Sequence, residues 1–268
     1  MSNADGSLSS VGGAPPTANR RATPGVALDA ERRSIRRIAD LFGSHLVDVT
    51  STCRVRRELL AALTLNESGG NPAVTRFEPA VYRHLKLVAG GERGAWGAVD
   101  SKVLEGAMQG ILEDSSDGIL PKTQDFHARY LTLHFAESNA TPFAQLADEA
   151  LHQLATSWGL TQIMGYHMID RAGSVRDLTE PRFHYGVTVS LLEDFAAEFK
   201  LDPSRDFEEL FRCWNTGRPR GETYDPHYVE NGLRRAQLYC EIQAERREPA
   251  AVARDAATPT ASAQNGSA

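Results

Sequence analysis

Four short stretches of this sequence carry side chains able to do chemistry, and the first is Asn66-Glu67-Ser68-Gly69-Gly70-Asn71-Pro72. Glu67 closes an apolar segment (Leu59, Leu60, Leu63, Leu65) and stands directly before a glycine-rich turn. Apolar walls penalise the charged form of a carboxyl, which raises its pKa and keeps it protonated near neutral pH, as a general acid must be. The two glycines let a substrate come close. The competing reading is a solvated Glu at a helix end, where the helix dipole favours cations and gives it no help.

The second stretch is Ser157-Trp158-Gly159-Leu160-Thr161-Gln162-Ile163-Met164. Gly159 permits close backbone approach, and Gln162 offers both donors and acceptors to hydroxyl or acetamido groups. A short buried helix explains Trp158, Leu160, Ile163 and Met164 equally well, but not Gln162. The third, Cys213-Trp214-Asn215-Thr216-Gly217, puts Asn215 where it can pair with an N-acetyl group; Asn-x-Gly is also an ordinary helix exit. The fourth, Tyr224-Asp225-Pro226-His227-Tyr228-Val229, presents the Tyr228 hydroxyl either to a site or to a packed helix start.

The elements that must position these residues read as helix after helix. Leu28, Ile35, Ile38, Leu41, Phe42 and Leu46 recur at helical spacing, as do Val55, Leu59, Leu60 and Leu63. The second of these helices stops at Gly69-Gly70-Asn71-Pro72, because glycine takes the left-handed cap and the residue before proline avoids helix. Further helices are expected over 79–88, 98–112, 123–137, 142–154 (with Thr141 as cap), 158–168, 181–199, 203–214 and 226–245. Alternating strand patterns are nearly absent, so the expected class is all-α, with room for one short hairpin. Residues 1–27 and 249–268 are rich in Ser, Gly, Ala, Pro and Thr, too poor in apolar side chains to offset ordering entropy. They are expected to be disordered tails around one domain at 28–248.

The charge balance narrows the function. With 35 Asp+Glu against 29 Lys+Arg, the chain lacks the basic footprint of a nucleic-acid binder. Three cysteines, Cys53, Cys213 and Cys240, are too few for a disulfide framework and have no metal-binding spacing; they are expected to be buried or half-buried thiols. No metal and no cofactor is expected: there is no His-Glu-x-x-His, no Gly-x-Ser-x-Gly and no phosphate-binding glycine loop. His127 and His134 lie seven apart, a spacing better suited to core or solvated histidines than to a metal site. No membrane span and no ordinary secretory signal is seen. The chain is expected to be made in the cytoplasm and, if it acts on a cell wall, to be carried there by something else.

Taken in order, the four motifs resemble the lytic transglycosylases of the SLT and goose-lysozyme type, over residues 54–240. The specific matches fall at 66–72, 157–165, 213–217 and 226–229. In typical members the Glu-Ser and Gly-Leu-x-Gln motifs lie close together, whereas about ninety residues separate Glu67 from Gly159 here. The intervening Arg76-Phe77-Glu78-Pro79 and the run Ser-Trp-Gly-Leu-Thr-Gln-Ile-Met-Gly are similar to the phage-type N-acetylmuramidases. The resemblance implies a lysozyme-like helical fold that cuts peptidoglycan glycan strands between N-acetylmuramic acid and N-acetylglucosamine. It implies Glu67 as the acid, with Ser68, Gly159, Gln162, Asn215 and Tyr228 lining the substrate groove.

Glycoside hydrolysis ordinarily needs two carboxylates, one as acid and one to activate water or attack. Glu78, eleven residues beyond Glu67, is the leading second carboxylate, with Asp100 behind it. Glu78 also reads as an ordinary residue before the helix-opening Pro79. A lytic transglycosylase manages with one Glu, by the implication of the resemblance, because the muramoyl 6-hydroxyl attacks its own anomeric carbon. Three readings therefore stand open: a transglycosylase, a hydrolysing muramidase using Glu78, and a non-catalytic glycan-binding module.

Overall fold

The computed structural model describes residues 24–96, 99–115 and 142–256. Among these, eight α-helices account for most of the chain, so the expected helical class holds. They are α1 (Pro24–Thr50), α2 (Arg57–Glu67), α3 (Pro79–Ala89), α4 (Ser101–Ser115), α5 (Pro142–Leu154), α6 (Pro181–Phe199), α7 (Phe207–Thr216) and α8 (Tyr228–Ala256). Strands β1 (Thr75–Phe77), β4 (Thr156–Trp158) and β5 (Ile163–Met164) form one antiparallel sheet in the order β1-β4-β5. A two-residue ladder joins β2 (Ala95–Trp96) and β3 (Val99–Asp100). No described helix is long and apolar enough to cross a membrane.

Helix α2 is the hub. Leu59 to Thr64 are six consecutive buried residues, so this helix has no solvent face along its middle. A helix apolar on all sides must be enclosed by others; α1 and α8 flank it, and α6, α7 and Leu160 complete the same core. A second core gathers α3, α4, α5, the hairpin and Val187 and Leu191 of α6. Trp214 packs against both. Leu160 belongs to the first core and Ile163 to the second, so the tip of the β4–β5 hairpin sits in the seam between them.

Two of the helix expectations need correcting. The segment 158–168 is no helix. It is strand, turn, strand and a 3-10 turn (Gly165–Met168), because Gly159 and Gln162 both take positive φ (72° and 58°), which no α-helix tolerates. Pro203 does not open α7 either. The Asp202 carboxylate accepts from Ser204 N (2.9 Å) and Ser204 Oγ (2.7 Å), a side-chain turn that delays the helix to Phe207. Helix α1 begins at Pro24 and α8 runs to Ala256. Residues 1–23 and 257–268, the helix expected over 123–137 with its two histidines, and the Thr141 cap lie outside the described residues. Of the thiols, Cys213 is buried and Cys53 half-buried, but Cys240 is exposed.

Candidate active site

Glu67 is the last residue of α2, and the chain leaves the helix through Gly69 (φ 64°) and Gly70 (φ 85°). Two successive left-handed residues turn the backbone sharply away, a conformation glycine adopts without steric cost. The Tyr228 hydroxyl, supplied by the first residue of α8, donates to Glu67 Oε1. Burial raises the pKa of the Glu67 carboxyl; the Tyr228 hydrogen bond and the nearby Arg76 guanidinium act in the opposite direction without cancelling it. Tyr228 is itself only 8% exposed, and its ring meets Phe211 edge-on at 6.2 Å. Burial, then the neighbouring Glu67, pushes its hydroxyl well above the ordinary phenol range, so it acts as a fixed donor.

Nothing in the sequence marks Arg76 beyond its place in Arg-Phe-Glu. In the fold it projects from β1, pairs with Glu78 (Nε to Oε1, 2.6 Å) and exerts its charge on Glu67. One guanidinium therefore serves both candidate carboxyls. Glu78 caps α3 from the extended region, and its backbone N donates to Ala155 O at 2.9 Å, which ties the start of α3 to the residue before β4. Asp100 accepts from Val103 N at 2.8 Å and serves the start of α4.

The remaining predicted residues fall differently. Ser68 Oγ lies within hydrogen-bonding distance of Leu160 O (2.6 Å) and Thr64 O (3.2 Å), which fastens the end of α2 to the hairpin tip. Gln162 spends its amide on the fold. Nε2 donates to Gly159 O (2.9 Å) and Val74 O (3.1 Å), while Oε1 accepts from Ser157 Oγ (2.8 Å). Gly159 is the hinge of that tip. Gln162 and Asn215 do share a cleft of about 320 Å³, with Tyr166, His167, Phe195 and Trp214 in its walls, but Glu67 is not in its lining. The hairpin tip touches both places, through Ser68 to Leu160 on one side and Trp214 Nε1 to Thr161 O (3.0 Å) on the other. The structure thus brings Tyr228 onto the Glu67 carboxyl, pairs Glu78 with Arg76, whose charge is felt at Glu67, and places Gln162 and Asn215 around a separate cleft. Among the described residues there is no group of three His, Cys, Asp or Glu placed to hold a metal ion.

His184 holds the tip from beneath. Its Nε2 accepts from Thr161 N (2.8 Å), which leaves the proton on Nδ1 to donate to Leu178 O (2.8 Å). Burial drives its pKa down to about 4, against the pull of that carbonyl; burial, followed by Arg171, does the same to His167. A depressed histidine binds a proton in the unfolded chain before it does in the folded one. Its contribution is therefore complete above pH 6.5 and is lost as the pH falls towards 4. Between pH 6.5 and 5 each such histidine is expected to remove about 2 kcal/mol. Glu67, with its raised pKa, runs the other way, so the urea titration is best done in a Glu67→Gln background. Equal stability at pH 7 and pH 5 in that background would contradict the neutral clamp.

Compared with known proteins, the chain matches no family model, no curated protein and no solved structure.

Proposed function

We propose that this protein cleaves the glycan strands of peptidoglycan, with Glu67 as the general acid of a lysozyme-like domain. The observation that carries this reading is the Glu67 carboxyl itself: desolvated, raised in pKa, held by a buried tyrosine hydroxyl, and followed by a two-glycine turn. Burial disfavours the charged form of this carboxyl, which is the direction a general acid needs. Tyr228 then stabilises the carboxylate left behind, because a hydrogen bond to the charged form is stronger than one to the neutral form. The four motifs that resemble lytic transglycosylases and phage-type muramidases supply the substrate class and the cell wall as the place of action.

The lytic transglycosylase is the preferred chemistry. It needs no second carboxylate, and Glu78 is already paired with Arg76 at 2.6 Å. In the one-carboxyl route, Glu67 protonates the glycosidic oxygen and the bond to the anomeric carbon breaks. The resulting carboxylate takes the proton of the muramoyl 6-hydroxyl as that oxygen closes on the same carbon, giving a 1,6-anhydro end. A hydrolysing muramidase with Glu78 as the second carboxylate is the second reading; the charge of the Arg76 paired with Glu78 is also felt at Glu67.

Purified peptidoglycan digested with the protein, followed by mass spectrometry of the glycan ends, tests both. Anhydro-muramoyl ends are expected. Reducing muramic ends would transfer the assignment to the hydrolase and make Glu78 the next residue to change. Binding without any cleavage would leave a glycan-binding module.

A further inference from the structure

The tyrosine that holds Glu67 is itself held from outside. Asn66 Nδ2 donates to the Tyr228 carbonyl oxygen at 3.2 Å. Asn66 Oδ1 accepts from Arg235 Nη1, and Arg235 Nε donates to Glu31 Oε1 at 2.7 Å. Glu31 belongs to α1, Asn66 to α2, and Tyr228 and Arg235 to α8, so this chain of contacts crosses all three helices of the hub. It ends on the candidate acid.

We propose that Arg235, gripped by Glu31, is a positioning residue for Glu67 that acts through Asn66 and Tyr228. The proposal rests on the reading of Glu67 as the acid. An Asn amide can face either way, and only one way presents a donor to a carbonyl. The Arg235 guanidinium decides which, because it can only donate and so must take the amide oxygen. That choice turns Nδ2 towards Tyr228 and fixes the first turn of α8. The Tyr228 hydroxyl then has one place to go.

The neighbouring arginine provides a matched comparison. Arg234 also grips Glu31, with Nε to Oε2 at 2.7 Å and Nη2 to Oε1 at 3.0 Å. It also donates to Asn231 Oδ1 at 2.7 Å and, among the described residues, makes no hydrogen bond to Asn66. Arg234→Met and Arg235→Met each remove one cation from Glu31 and leave the other in place. Neither strands the carboxylate, whereas loss of both would. Only Arg235→Met releases Asn66.

The experiment follows the Glu67 side-chain carboxyl by ¹³C NMR in full-length protein labelled at Glu, with the signal assigned from Glu67→Gln. Arg235→Met is expected to move its titration midpoint upward by about half to one pH unit, because a donor to the carboxylate is loosened. Tyr228→Phe moves it in the same direction, and the double variant shifts no further than Tyr228→Phe alone. Arg234→Met leaves it in place. In peptidoglycan digestion, the fall in rate at high pH moves with the midpoint. An unmoved midpoint in Arg235→Met, or equal shifts in the two arginine variants, would overturn the proposal. If Arg235→Met melts below the working temperature, Arg235→Lys carries the same prediction, since a single ammonium does not reproduce the fork that bridges Glu31 and Asn66. Failure of the wild type to cut glycan would remove the acid reading, while the carboxyl titration still decides whether Arg235 is coupled to Glu67.

Discussion

Glu67→Gln is expected to slow glycan cleavage by about 10²–10⁴-fold, the usual contribution of a positioned general acid, without loss of fold. The amide has the same shape, and its oxygen still accepts from the Tyr228 hydroxyl. What disappears is the proton. A carboxyl whose folded pKa is raised contributes stability below its unfolded pKa and loses it as the pH rises through the folded value. At pH 7 the variant is therefore expected to melt at or above the wild-type temperature. The rate of the wild type is expected to fall at high pH as Glu67 ionises, and this limb is expected to be absent from any slow cleavage the variant retains. A variant that loses stability along with activity would make Glu67 a structural residue.

The second large effect is on the fold. Gly159→Ala places a methyl group 2.3 Å from Leu178 O and 2.6 Å from His184 Nδ1, at a backbone φ of 72°. The left-handed conformation alone costs a non-glycine residue about 1–2 kcal/mol, and overpacking adds about 1–3 kcal/mol. Neither obstacle is a flexible side-chain end: one is backbone, the other a histidine pinned at both nitrogens. A loss of about 3 kcal/mol or more is expected in urea denaturation. Gly43→Ala is the control, since its added carbon in α1 meets nothing within 4 Å. Helix propensity there predicts a gain of about 0.5–1 kcal/mol. Destabilisation of the same size at both positions would mean that the hairpin tip is not tightly packed.

How legible the molecule was depended on the range of each signal. Proline marked the starts of α3, α5 and α6 correctly, because its fixed φ and missing N–H act on the residue itself. Gly69-Gly70 marks the end of α2, and so places Glu67 at a helix terminus from sequence alone. The β4–β5 hairpin was hidden for the opposite reason. Strands of two and three residues are too short for alternation to show, and a positive φ at Gln162 is not a glutamine habit. Gln162 looked like a ligand because its chemistry suits one; its partners Val74, Gly159 and Ser157 show that the same chemistry builds the turn. Least visible was the support of Glu67. Arg235 and Asn66 lie 169 positions apart, and Arg235 and Glu31 lie 204 apart, distances over which a lone sequence offers no pairing signal.

That separation has a consequence for how the protein is made. Glu67 and the hydroxyl that holds it are 161 residues apart, and the hydroxyl lies on the last described helix. At ribosomal speeds of roughly 5–20 residues per second, Glu67 emerges about 10–30 s before Tyr228. Through that interval α2 has no α8 to enclose it, and the carboxyl is an ordinary solvated one. The pairing of Glu67 with Tyr228 is therefore assembled only when α8 closes over α2.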